Sequence, residues 1–490
     1  MVSSDRRSII AFVPAFGLLL GAAAAWHYAS LGLTLSHYDA RGHLTVARRV
    51  LDNLTPGWRQ LGALWLPLPH VLNLLPVLSL WNYQTGMSAV VINLLAMAAG
   101  LGALARLVFR RTDSVTAALT SVAVVGASPS VVYLQSTPMT EPLLFGLSWL
   151  ALDAADRTLD VPELAATRPH VGLWLALATL TRYEAWPISA ALVLLTALAR
   201  PRAERLRTFA RLALGPAAAA VTFLAIGRIT LGQFSDTSFF VPDNPAAGRL
   251  VETLREIYRG LIELAGAPVV IAAALGVAIV GRQAWRERTW RPLLPLALFA
   301  AAALPFALFY SGHPFRVRYM VPLIAAAGAL AGALVAAVPR RARAVVAVSL
   351  VGLSLWARPA FRADDPMVIE AQREIPVRLA RAPVSAVLAA RHDHEPILAS
   401  MGSLGHYIQE MSRAGFVVRD FLNEGNGDLW SAAVRAPRRH VGWIVFDETA
   451  EARDQLAVLA RTDSHFLDGF TRVASGGGAV LYRRDDLAGH

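Results

Sequence analysis

Residues 8–38 read S-I-I-A-F-V-P-A-F-G-L-L-L-G-A-A-A-A-W-H-Y-A-S-L-G-L-T-L-S-H-Y, without one aspartate, glutamate or arginine. A bilayer core about 30 Å thick is crossed by a helix of roughly 20 apolar residues. Residues 114–140 and 319–339 are equally free of acids and arginines. In hydrocarbon each peptide group must find its partner within the chain, so such stretches are expected as helices. The whole chain of 490 residues is 55% hydrophobic and only 17% charged, against about 25% charged in soluble domains. A polytopic all-α membrane domain is therefore the expected fold.

The formal charge is +11. Every basic residue other than histidine is arginine, because the sequence holds no lysine. The arginines punctuate apolar segments, which is how topology is written, and nucleic acid is not an expected partner. The absence of cysteine excludes disulfides, thiolate metal sites and cysteine nucleophiles. Arg6 and Arg7 precede a run too long for a signal-peptide core, so an uncleaved first helix is expected.

Four arginine-rich loops mark one side: Arg110-Arg111; Arg200, Arg202, Arg205, Arg207 and Arg211; Arg282, Arg286, Arg288 and Arg291; and Arg340, Arg341 and Arg343. With these and the N-terminus inside, spans fall near 8–29, 86–108, 115–134, 139–155, 170–182, 185–199, 212–229, 264–281, 292–311, 319–338 and 344–357. Eleven crossings of a bacterial cytoplasmic membrane leave the C-terminus outside. Residues 64–80 are apolar but broken by Pro67, Pro69 and Pro76, which suits an interfacial or re-entrant segment. The expected domains are a membrane domain over 1–357, with outer loops 30–65 and 230–263, and a small extracytoplasmic α/β domain over 358–490. Residues 40–53 pattern as an amphipathic surface helix, with Leu44, Ala47, Val50 and Leu51 opposite Arg41, Arg48, Arg49 and Asp52. In the tail, residues 396–400 and 441–446 read as buried strands, residues 406–414 and 450–461 as helices. Gly476-Gly477-Gly478 marks a hairpin.

Ionisable groups at the outer ends of spans carry the chemistry, because such groups are expensive near lipid. Asp39 follows the first span in S-H-Y-D-A-R-G-H, residues 36–43, which also holds His43. It suits the N-cap of a helix starting at Ala40, and it suits a general base at the mouth of a bundle; the two readings coexist. Glu141, in residues 135–143, sits where its charge meets a helix N-terminus or faces the same outer cavity. Arg182 and Glu184 pair with one another or present a guanidinium fork to phosphate. His313, Arg316, Arg318 and Tyr319 lie between two spans on the outer side, where an arginine pair departs from the positive-inside pattern and asks for an anion or a lipid headgroup. His70, in residues 65–70, is a structural histidine or a ligand. His392-Asp393-His394-Glu395 has ligand-type residues without defined spacing. The metal question stays open, and a divalent cation is the one cofactor this pattern leaves room for.

The set resembles the GT-C superfamily, in particular the bacterial relatives of protein O-mannosyltransferases and of the lipid A aminoarabinose transferase. The resemblance covers about the first 360 residues. It rests on Asp39 just past the first span, the helix that follows, the W-x-P-x-x-H-like stretch ending at His70, and the outer turns with Glu141, with Arg182-Tyr183-Glu184 and with Arg318-Tyr319. It implies an inverting hexosyl- or pentosyltransferase that takes a sugar from a polyprenyl-phosphate donor to a lipid, glycan or protein acceptor at the outer membrane face. It implies Asp39 as the base and Arg182, Arg316 and Arg318 as holders of the lipid phosphate, with His43, His70, Glu141, Glu184, His313 and Tyr319 as substrate-binding neighbours. Ala40 stands where the mannosyltransferases commonly carry a second acid, a role open to Glu141 or Glu184. A transporter or flippase of lipid-linked sugars is the rival class; it predicts mid-membrane charges and repeated halves, and neither is visible.

Overall fold

The computed structural model describes residues 2–160, 170–232, 243–391, 394–450 and 454–487. Two compact units form, one from residues 1–31, 90–225 and 242–369, the other from 32–89, 226–241 and 370–490. The first outer segment, grouped by sequence with the membrane domain, thus packs with the C-terminal region.

The first unit is helical. The expected spans overlap helical structure, and among the described residues six helices are long and apolar enough to cross a membrane: residues 8–30, 87–112, 202–230, 267–287, 291–310 and 317–337. Val115–Gly126, His170–Thr179 and Ala185–Leu198 are shorter apolar helices. The single span expected over 115–134 is broken into Val115–Gly126 and Pro129–Leu134. Pro129 has no N–H to give and forces Ser128 out of the helical region, to φ −62 and ψ 122. Small residues let the helices approach closely. A Cβ on Gly146, in Glu141–Thr158, would lie 2.3 Å from the Ala96 carbonyl oxygen in Met87–Thr112. The Ala- and Gly-rich helix Val321–Ala337 is the central one, buried along most of its length, with Trp149 donating to the Ala325 carbonyl at 3.3 Å.

The second unit is built on a five-stranded sheet: β1 Ile397–Ala399, β2 Phe421–Leu422, β3 Trp443–Asp447, β4 Phe470–Gly476 and β5 Ala479–Arg484, in the order β2-β1-β3-β5-β4. The first three are parallel, joined by crossovers carrying Met401–Met411 and Asp428–Arg435; β5 runs antiparallel to β3 and β4. Side chains alternate as a sheet covered on both faces requires. Ile397, Trp443, Val445 and Leu481 pack with Leu44, Tyr83 and Tyr407, whereas Leu398, Ile444, Phe446 and Val480 pack with Trp430 and Leu456. The expected hairpin is present, with Gly477 and Gly478 at φ 53 and 82.

The expected amphipathic helix is Tyr38–Arg49, and its polar face is not solvated. Arg41 is 1% exposed and Arg48 6% exposed. Arg41 meets Glu410 at 2.6 Å, and Arg48 meets Asp52 at 2.6 Å while donating to the Val77 carbonyl at 2.8 Å. These acids and carbonyls cover the polar face, so the helix is buried on both faces within its unit instead of carrying the solvated polar face its pattern predicts.

Candidate functional site

The candidate residues fall into two sets, one in each unit. In the second unit Asp39 is buried, in the first turn of Tyr38–Arg49. It is not the N-cap. The cap is His37, whose Nδ1 accepts a hydrogen bond from the Asp39 backbone N–H at 3.1 Å. An Nδ1 that accepts leaves Nε2 to carry the proton, and it points at Glu370 Oε1 at 3.2 Å. Glu370 thus orients His37, and His37 holds the peptide of Asp39.

The charge of Asp39 also bears on His406. Arg381 donates to His406 Nε2 at 2.6 Å, to Asp447 Oδ2 at 2.5 Å and to the Gly477 carbonyl at 3.0 Å. Burial and the neighbouring guanidiniums of Arg381 and Arg41 push His406 well below the ordinary histidine range, so it is neutral with its proton on Nδ1. Burial also holds the Glu410 carboxyl above its usual range, against the pull of Arg41.

His43 and His70 come together, Nδ1 to Nε2 at 2.9 Å, with the Trp65 ring 4.2 Å from that of His43. Burial, His43 and Arg49 hold His70 well below its ordinary pKa. Trp65 also roofs Gly42, where a Cβ would meet the indole at 2.7 Å.

In the first unit the turn before Glu141 is fixed by Asn93, which donates to the carbonyls of Thr137 at 2.8 Å and Met139 at 2.6 Å. Glu141, fully buried, meets Arg182 Nη1 at 2.9 Å. The same guanidinium donates to Thr140 Oγ1 at 3.0 Å and to Glu184 at 2.7 and 3.1 Å. Arg182 and Glu184 do pair, and Glu141 makes the pair a triad whose two carboxylates outnumber its one guanidinium. Arg318 is near enough for its charge to act on Arg182.

The second cationic turn is built by the segment opposite it. The backbone N–H groups of Asp243 and Asn244 donate to the Gly312 carbonyl at 2.9 and 3.0 Å, and Asn244 Nδ2 donates to the His313 carbonyl at 2.9 Å. Gly312 adopts φ 97, which favours glycine. His313 Nδ1 lies 2.8 Å from the Pro314 carbonyl, which can only accept, so Nε2 is left to accept from Tyr319 Oη at 3.5 Å. Arg316 and Arg318 are half-buried, with Arg318 over the Tyr319 ring at 5.6 Å.

Sequence reasoning missed His37, Glu370, Arg381, His406 and Asn93, each of which acts on a residue distant in the chain or through its backbone. His392 and Asp393 lie outside the described residues. Among the described residues no group of three His, Asp or Glu is placed to hold a metal ion.

No protein-family model and no curated protein sequence matches the chain. Solved structures do. ArnT from Cupriavidus metallidurans bound to undecaprenyl phosphate superposes with a TM-score of 0.61 at 17% identity, covering 96% of this chain and 99% of that one. The same protein in the apo state gives 0.58 at 16% identity, over 96% and 100%. The Archaeoglobus fulgidus oligosaccharyltransferase, in complex with Zn and sulfate, gives 0.50 at 11% identity, over 96% and 73%. The chain therefore shares the fold of ArnT, and among the described residues six helices are long and apolar enough to cross a membrane.

Proposed function

We propose that this protein is a glycosyltransferase that moves a sugar from a polyprenyl-phosphate donor to an acceptor hydroxyl at the outer face of the cytoplasmic membrane, crossing that membrane eleven times with the arginine-rich loops inside. The observation that carries the proposal is the fold, shared over 96% of the chain with a protein solved with undecaprenyl phosphate; Asp39, a buried carboxylate in the first turn of the helix that follows the first span, is the candidate base. Support for a lipid-phosphate donor comes from the fold shared with a protein solved with undecaprenyl phosphate.

In the proposed reaction the acceptor oxygen attacks the anomeric carbon as Asp39 takes its proton. The bond from that carbon to the phosphate oxygen breaks, its electron pair leaves with the polyprenyl phosphate, and the centre inverts. Phosphate leaves as an anion, so one carboxylate suffices where glycoside hydrolysis uses two. The developing charge calls for cations. Arg316 and Arg318, half-buried on one turn, are the candidates for the phosphate, and Arg182, bracketed by Glu141 and Glu184, positions those two acids. Of these, Glu141 and Glu184 are candidates to receive sugar hydroxyls, as are His43, His70, His313 and Tyr319.

The test is incubation of the purified protein with a radiolabelled polyprenyl-phosphate sugar and an extract of membrane acceptors. The proposal expects label to pass to an acceptor with release of polyprenyl phosphate, and a fall of about tenfold or more in donor binding for Arg316→Gln with Arg318→Gln, since each charged hydrogen bond is worth about 1.5–3 kcal/mol. Movement of intact donor across vesicles without transfer would instead identify a flippase.

A further inference from the structure

At the arginine-rich end of the first unit, five guanidiniums (Arg106, Arg110, Arg111, Arg157 and Arg291) surround the three carboxylates of Asp153, Asp156 and Asp160. With Glu287, whose charge also acts on Arg111, five guanidiniums face four carboxylates, a surplus of one positive charge. Directly beside it a cleft of about 300 Å³ runs between the helices Met87–Thr112, Ala267–Glu287 and Val321–Ala337 and the segment Arg291–Ala302. Its walls are apolar, with Leu107, Val280 and Ala333 among them, and its polar end is formed by Arg111, Gln283 and Arg291. Asp156 also borders it, but that carboxylate already accepts from Arg110 at 2.9 Å and Arg291 at 2.8 Å.

Two tryptophans fix the depth of the polar end. Trp285 is 80% exposed and Trp290 44% exposed, on either side of the turn that leads from Gln283 to Arg291. Exposed indoles on membrane helices sit at headgroup level. The arginines of the cleft therefore lie where phosphates lie, and its apolar walls lie where acyl chains lie. Arg286, Arg340 and Arg341 are exposed at the same end and add to the field.

We propose that this cleft is a binding site for an anionic phospholipid of the arginine-rich leaflet, with the headgroup phosphate at Arg111, whose nearest carboxylate, Asp156, is 3.9 Å away, and one acyl chain between Val280 and Ala333. The occupant is a phospholipid with net negative charge, because the surplus of guanidiniums selects charge and the apolar walls select a chain. Basic pockets between membrane helices are the sites at which anionic headgroups are recognised. The site belongs to the opposite end of the helices from the turns that carry Glu141 and Arg318, so it stands independently of the proposed transfer reaction.

The experiment is native mass spectrometry of the full chain in detergent, titrated with phosphatidylglycerol or phosphatidylcholine. Phosphatidylglycerol is expected to bind at least about tenfold more tightly, and Arg111→Gln to lower its affinity about tenfold, the loss of one charge-assisted contact. Ala333→Phe, which fills the cleft without touching a charge, is expected to abolish the tight adduct. Ile279→Trp fills it from the opposite wall and decides the matter should Ala333→Phe not fold. Equal binding of the two lipids by the wild-type chain, or full phosphatidylglycerol binding by a folded cleft-filled variant, overturns the proposal.

Discussion

Replacing Arg182 by methionine removes the one guanidinium shared by Glu141 and Glu184, which are fully buried and 1% exposed respectively. Removing one partner of a buried ion pair costs about 3–5 kcal/mol, because a charge is left without compensation. Here two carboxylates are stranded. Both lose the same single partner, so the expected cost is at least that of one broken buried pair, about 3–5 kcal/mol. The triple change Arg182→Met, Glu141→Gln, Glu184→Gln removes all three charges together and is expected to regain most of that loss, because neutral groups of similar shape carry no such penalty. The assay is unfolding in mixed detergent and sodium dodecyl sulfate micelles, followed by the fluorescence of the 12 tryptophans. A single variant that loses less than about 1 kcal/mol, or a triple variant no more stable than the single, refutes the assignment of Arg182 as the neutralising centre of two acids.

Gly146→Val places a side chain where even a Cβ would come within 2.3 Å of the Ala96 carbonyl, and a loss of about 1–3 kcal/mol in the same unfolding assay is expected; an unchanged midpoint contradicts that helix contact. His70 and His406 are held neutral in the fold well below pH 6.5, so the unfolded chain binds more protons in that window and stability falls as pH drops beneath about 6.5. Asp365, pushed up to about 6 by burial, works the other way between its ordinary range and pH 6, as do Glu410, Glu424 and Asp454, which burial also raises. Between about pH 7.5 and 5.5 the thermal midpoint of His406→Gln is therefore expected to fall less, or rise more, than that of the wild type; an equal change in both contradicts a neutral His406. Glu370→Gln keeps a hydrogen bond to His37 but loses the charge that orients it, so transfer is expected to fall while donor binding holds; a variant with wild-type turnover shows that the His37–Glu370 pair is structural only.

The membrane helices were legible because their signal is local: acid-free runs of about 20 residues, with arginines at alternate ends. The break at Ser128-Pro129 was local too, yet proline among apolar residues does not by itself separate a kink from an interruption. Arg41 and Arg48 misled because their partners are remote or seemed solvated: Glu410 lies hundreds of residues onward, and Asp52 is buried beneath Arg419, which reaches it at 2.9 Å. A charged stripe opposite a leucine stripe reads as a wet face unless a second set of acids is known to cover it. β2 is only two residues long and offered no alternation to detect. Asp39, Glu141, Arg182 and Arg318 stand out in the sequence because charge at the end of a span is rare. What holds them was hidden, since Asn93 works on carbonyls more than 40 positions away and His37 works on a backbone N–H.

The most direct measurement compares wild type with Asp39→Asn for donor binding and for single-turnover sugar transfer. Removal of a general base lowers the rate about 10²–10⁴-fold, and the amide keeps the shape of the site, so binding of the polyprenyl-phosphate sugar is expected to stay within about threefold. A transfer rate within a few-fold of wild type, with donor bound, would show that another group takes the acceptor's proton.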